Sequence, residues 1–230
     1  IQLQNIYNRI MDKGLAYESM KHIHTVFNQS LQRAVDENLI PQNCAVGLNK
    51  GKRETAEEVD IFTREEQKQI IENLPFNPLG ILIRTGIGTG ARFGELLGLS
   101  WDDVDLENNI IHIRNGLKKK KVFSEDGKKI VKHYLDLGKL KTTKSRRDIP
   151  INDATASMLK KYKLAQRSFI EDKNIVPQMV FLNAKGNYWD ESLARKQYKR
   201  YLASIGIPYI KFHTLRHTFA TRILEENVQP

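Results

Sequence analysis

The spacing of apolar residues changes twice along this chain, and that change limits the fold more than any other feature. Up to about residue 48, and again from 61 to about 97, apolar residues recur at three- and four-residue steps. In "ESMKHIHTVFNQSLQRAVDENLI" the residues Met20, Ile23, Phe27, Leu31 and Val35 make one helical stripe, which Pro41 and the turn-rich "PQNCAVG" end. The middle reads differently. "NNIIHIRNG", "KKIVKHYLDL" and "KTTKSRRDIPI" are strand-like, with Asp126-Gly127 as the turn between the first two. Helical patterns resume at about 153–172 and 190–204 and from about 214, with a short apolar run, "MVFLN", between the first two. The expected class is mainly α with a small three-stranded antiparallel sheet, in two unequal domains.

The boundaries follow from the same pass. Residues 1–48 look like the last two helices of a helical module, and the polar, aperiodic "NKGKRETAEEVD" at 49–60 is a linker. Residues 61–230 form the larger domain. It opens at Thr63, with Glu66 three residues on as a capping box. A helix is expected over Leu79 to Thr85, broken by Gly86, Gly88 and Gly90 before a short helix in "ARFGELLGL". Ser100, with Asp103, looks like the cap of the next helix.

Composition adds a partner class. Thirty-seven Lys and Arg against twenty-seven Asp and Glu give +10, a balance that suits a polyanion. A single cysteine, Cys44, excludes an internal disulfide framework and a cysteine-rich zinc site, and reads as a small buried thiol in a reducing cytosol. No stretch approaches the length of a membrane helix, and no secretory signal is visible. The chain opens on Ile1 rather than Met and reads as a trimmed fragment.

Three groups could carry chemistry. In "HTLRHTFATRILEEN", His213, Arg216 and His217 stand at i, i+3 and i+4, so they share one helix face or its edge. Arg216 offers a planar donor fork suited to a phosphate, and His213 titrates near neutral pH. The competing reading makes Leu215, Phe219 and Leu224 a core stripe with the His/Arg pair a solvated edge. A zinc site on the two histidines lacks both the glutamate of the metalloprotease pattern and a third ligand. The second group is Arg92, placed in the first turn of a helix entered through glycines, where free amides and the helix dipole favour an anion. Glu95, three residues on, is expected to brace the helix or neighbouring amides. The third is the basic run "GKLKTTKSRRDIPI" on an expected hairpin, where a lysine could donate a proton to a leaving oxygen or contact a phosphate.

Taken together these groups resemble the tyrosine recombinases, the integrases of phages and conjugative elements and the recombinases that resolve chromosome dimers. Arg92 in "TGARFGELLGL", Lys141 in "LKTTKSRRDIP", and His213 with Arg216 in "HTLRHTFAT" look like that family's active-site boxes, in order, across residues 60 to 230. "HIHTVFNQSLQRAVDENLIPQNCA" resembles the end of the family's helical core-binding domain.

The resemblance implies a site-specific recombinase or integrase that cuts and rejoins DNA through a 3′-phosphotyrosyl intermediate, without cofactor or metal. It implies catalytic roles for Arg92, Lys141, His213 and Arg216, with Lys139 or Lys144 as other registers for the lysine. It further implies DNA contacts by Lys118, Lys119, Lys139, Lys144, Arg146, Arg147 and Thr214. The implied partners are double-stranded DNA and, for the full-length protein, three further copies in a tetramer. The implied location is the cytoplasm of a bacterial or phage host, and the source a phage or integrative mobile element. One element of the family is missing: no tyrosine follows Tyr209, where the nucleophile would lie. The expectation is a C-terminally incomplete chain, inactive as it stands. The alternative is a non-catalytic DNA-binding protein that keeps the fold.

Overall fold

A computed structural model describes residues 2–52, 60–140 and 145–226. The chain divides into two compact units, Ile1–Glu58 and Val59–Pro230.

In the first unit α1 (Gln2–Met11) and α2 (Tyr17–Asp36) pack through Tyr7 and Met20, both fully buried. The Tyr7 ring meets His24 edge-on and its hydroxyl lies 3.2 Å from His24 Nδ1. Gln4 closes the unit by donating to the Asn49 carbonyl and accepting from the Asn49 amide. Cys44 is exposed rather than buried, because the neighbouring Ala45 takes the inward position of this turn.

The second unit is mostly helical. α3 (Arg64–Glu72) starts at the capping box expected, Thr63 with Glu66. α4 (Pro78–Thr89) runs four residues past the expected end and carries Gly86 and Gly88 inside it. Those glycines are tolerated because α4 is buried on almost every side. Gly86 faces Phe212, Leu96 and Leu215 at distances that leave only just enough room for a Cβ. The helix stops at Gly90, whose φ of 57° is left-handed. α5 (Phe93–Leu97) follows at once. α6 (Asp153–Ala165) passes into a 3-10 turn at Gln166–Phe169, shorter than the single helix expected to 172. α7 (Glu191–Ser204) and α8 (Thr214–Glu225) lie where periodicity puts them. Among the described residues no helix is long and apolar enough to cross a membrane.

The strands differ from expectation in their pairing. β1 (Val104–Asp105), β2 (Ile110–Ile113) and β5 (Arg147–Pro150) form an antiparallel sheet in that order. β3 (Asn115–Phe123) and β4 (Ile130–Lys139) form a separate two-stranded arm that turns at Gly127. The lysine run 118–121 is therefore strand, and "KKIVKHYLDL" pairs with it rather than with "NNIIHIRNG". In the three-stranded sheet the period of two is plain. Ile111, Ile113 and Ile149 are buried, while His112 and Asp148, opposite one another, face outward and bond at 2.9 Å. "MVFLN" forms no named strand, but Val180 donates to Leu99 and Trp101 to Gln178, which buries the run beside α5.

Candidate phosphate-binding site

The site is built around one carboxylate. Glu95 sits on α5, a helix too short to persist alone, and only 4% of its surface is exposed. α5 is held flat on the arm because it presents Gly94 and Gly98 to β3. A Cβ at Gly94 would fall 2.8 Å from the Leu117 carbonyl oxygen, and one at Gly98 2.8 Å from the Leu117 nitrogen. No larger residue lets the two backbones approach this closely.

Glu95 accepts from the Arg92 amide at 2.8 Å and from Arg92 Nη1 at 2.9 Å. Arg92 is therefore the residue that caps α5, not a member of its first turn, and its amide is already bonded. The anion-binding capacity lies in the guanidinium, on a side chain that is half exposed. Arg147 donates to both Glu95 oxygens from the opposite side. Its direction follows from strand alternation: Arg147 shares the inward face of β5 with Ile149, while Arg146 points to solvent. Burial raises the Glu95 pKa, but the hydrogen bonds from Arg147 and from the amide and side chain of Arg92 outweigh it and hold the carboxyl below its usual value.

The other wall is the start of α8. Phe212, buried, stacks on Phe93 with ring centroids 4.1 Å apart and meets Tyr198 edge-on. That stack ties the residue after Arg92 to the residue before His213 and is worth about 1 kcal/mol beyond the area it buries. α8 is also anchored to the start of the unit, where the Phe62 amide donates to Thr218 Oγ1 and Arg222 donates to the Phe62 carbonyl. Arg216 donates from Nη1 to the Gly90 carbonyl oxygen at 2.6 Å. Burial lowers its pKa below the ordinary arginine value, and the charges of Arg92 and Arg147 lower it further against the pull of Glu95. Three guanidinium groups around one carboxylate leave a surplus of positive charge at the surface, which suits a phosphate.

His213 caps α8 and is exposed, with its ring edge-on to His217 at 4.7 Å. Partial desolvation, then the charges of His217, Arg216, Arg92 and Arg195, push its pKa down. Each of these effects favours the neutral imidazole, the form that can take up a proton.

The structure thus brings Arg92, His213, Arg216 and Arg147 together. Lys141 and Lys144 lie outside the described residues. Lys118, Lys139 and Arg146 are exposed. Lys119 is exposed but paired with Asp190 at 3.0 Å. Thr214 is buried at 6% exposure, so its hydroxyl is not on the surface where a DNA contact was expected. The competing reading of α8 as a core stripe holds only at Leu215; Phe219 is partly buried and Leu224 is 60% exposed.

Two residues have a larger part than the sequence suggests. Arg147 serves Glu95 rather than only a polyanion, and the alternation Arg147, Ile149, Ile151 already places it on the apolar face. Arg195, on α7, lies 5.2 Å over the Phe93 ring and acts on His213; nothing in its local sequence marks it. A cavity of about 570 Å³, lined by Pro78, Phe169, Trp189 and Tyr201 among others, includes none of these groups. The cationic cluster is open to solvent, as a polymeric anion requires.

Comparison with known proteins gives the family and the fold. The model of the phage integrase family matches residues 61–230. A XerC-like tyrosine recombinase of Caldanaerobacter subterraneus subsp. tengcongensis is 32% identical, over 99% of this chain and 61% of its own. The integrase of Staphylococcus phage L54a is 26% identical, over 99% and 66%. The chain thus spans less than two thirds of the length of these two curated relatives. Among solved structures, the Tn1549 transposon integrase in complex with circular intermediate DNA aligns with a TM-score of 0.75 at 20% identity, over 99% of this chain and 73% of that one.

Proposed function

The chain belongs to the phage integrase family, and on that premise we propose that it supplies the phosphate-holding part of a site-specific DNA recombinase. The observation that carries this reading is the convergence of Arg92 and Arg147 on one buried carboxylate, Glu95, with Arg216 and His213 close enough for their charges to act on one another and on Arg92.

The chemistry follows from charge. Attack of a tyrosine oxygen on a DNA phosphorus gives a pentacoordinate phosphorane whose non-bridging oxygens gain negative charge. Arg92 and Arg216, from different segments, meet those oxygens with donors already oriented, and preorganised donors of this kind stabilise such a transition state. Glu95, braced by Arg147, fixes the Arg92 fork; the Gly90 carbonyl fixes that of Arg216. His213 receives the proton of the attacking hydroxyl. The bond from phosphorus to the 5′ oxygen breaks, Lys141 protonates that oxygen, and a 3′-phosphotyrosyl bond remains. Rejoining runs the same steps in reverse, so no cofactor is called for.

None of the eight tyrosines in the sequence is assigned as the nucleophile. Tyr162, Tyr198 and Tyr201 are buried, and burial pushes all three hydroxyls up, Tyr201 the least, to about 12. Tyr209 precedes the His213 helix. We place the nucleophile on a segment outside these 230 residues, and read residues 1–48 as part of a core-binding domain. Duplex DNA as partner, a tetramer on two sites, action in the cytoplasm, and origin in a phage or integrative element belong to the same proposal.

The test is a nicked duplex carrying the protein's own recombination site, offered to the intact gene product. An adduct resistant to denaturation, mapped by mass spectrometry to a tyrosine and lost in Arg216→Ala, is the expected result. Tight DNA binding with no adduct would overturn the enzymatic reading in favour of a DNA-binding protein that keeps the fold.

A further inference from the structure

The β3–β4 arm holds a large share of the chain's charge and uses little of it. Residues 115–139 contain eight lysines against Glu125, Asp126 and Asp136, half of the net +10 on 25 residues. Two of the lysines are used internally. Lys119 pairs with Asp190, the residue that caps α7, and Lys120 pairs with Asp136 across the ribbon at 2.7 Å. Asp126 is spent on the turn, where it accepts from the Lys128 amide. Lys121, Lys128, Lys129 and Lys132 have no acidic partner among the described residues.

The same outer end is apolar in the wrong place for a free surface. Phe123 is 53% exposed, Ile130 44% and Val131 62%. Phe123 and Ile130 are cross-strand partners beside a register shift at Val122/Phe123, so they form one apolar pair at the tip. Between Lys118 and Tyr134 every residue except Ser124 is exposed. The inner half alone is anchored, by Leu117, Leu135 and Leu137 against the core. A two-stranded ribbon of this kind is only marginally stable in water, and an exposed apolar cluster rimmed by cations marks a contact.

We propose that the outer end of this arm, residues 121–132, is a DNA-groove contact separate from the arginine cluster. Lys121, Lys128, Lys129 and Lys132 meet backbone phosphates, and the Phe123–Ile130 pair packs on sugars and base edges. A two-stranded ribbon fits the major groove. The charge selects the partner: a second copy of a chain this basic is repelled, whereas a duplex is drawn in. The inference rests on the DNA reading above, and it divides the lysine run by role. Lys119 and Lys120 hold the arm, and Lys121 belongs to its contact end.

The experiment is equilibrium binding of the intact protein to a fluorescein-labelled duplex of random sequence over a range of salt. The variant carrying Lys121→Ala, Lys128→Ala, Lys129→Ala and Lys132→Ala is expected to flatten the slope of log K against log salt by roughly 3 to 4, at about 0.9 for each phosphate no longer neutralised. Because that variant could loosen the ribbon, a second arm places photoreactive benzoylphenylalanine at position 123 in otherwise unaltered protein, with cross-linking to DNA expected. An unchanged slope, or a cross-link confined to a second protein copy, overturns the assignment of the arm. A wild type that binds no duplex at all would instead sink the DNA reading on which it rests.

Discussion

Arg147 reaches from β5 to donate to both oxygens of Glu95, at 2.8 Å from Nη2 and 3.3 Å from Nη1. The same carboxylate holds the amide and guanidinium of Arg92. Glu95 is thus the counter-charge that lets two arginines stand beside a third.

Removing that charge leaves two guanidinium groups facing each other. Glu95→Gln is expected to cost about 3 kcal/mol, the lower end for a broken buried ion pair because Arg92 is half exposed. Chemical denaturation at pH 7 measures it. The sign with pH is fixed: a carboxyl held low contributes stability above its unfolded value, lost as pH falls through the folded one. The gap between wild type and Glu95→Gln therefore narrows in acid.

Gly90 has a left-handed φ of 57°, and a Cβ there would lie 2.3 Å from the Phe219 ring. Gly90→Ala is expected to destabilise by about 2 kcal/mol, from backbone strain with added clash. It also displaces the carbonyl that holds Arg216. Strand cleavage should fall even at temperatures where the variant is fully folded.

His213 is expected to titrate with a midpoint below the ordinary histidine value of about 6.5, and NMR of its ring protons reads this directly. A histidine whose folded pKa is lowered binds fewer protons than in the unfolded chain, so it destabilises as pH drops through that ordinary value. Arg92→Ala removes one repelling charge, and the midpoint should move up.

Much of this is legible in the residues. Periodicity locates α7 and α8, and the mainly helical class with a small sheet needs only the change of period near residue 104. The tyrosine recombinase resemblance rests on Arg92, Lys141 and His213 with Arg216; the fold places Arg92, His213 and Arg216 together, and Lys141 lies outside the described residues. Of the arm, β4 and the turn at Asp126-Gly127 are legible, and β3 is hidden for a physical reason. A strand exposed on both faces has no hydrophobic alternation, so Lys118 to Lys121 carry no strand signal. Gly86 and Gly88 mislead in the opposite direction, because tertiary packing overrides their low helix propensity. Arg195 carries no local signal, since its closeness to His213 depends on how α7 crosses α5.

The central claim is that Arg92 and Arg216 act on one phosphate. A double-mutant cycle on single-turnover strand cleavage by the intact gene product tests it most directly. Arg92→Ala and Arg216→Ala should each lower the rate at least about a hundredfold. If the two forks hold the same phosphorane, the double variant loses far less than the product of the single losses, as residues acting as a unit do. Losses that multiply would show two independent contacts and contradict the account.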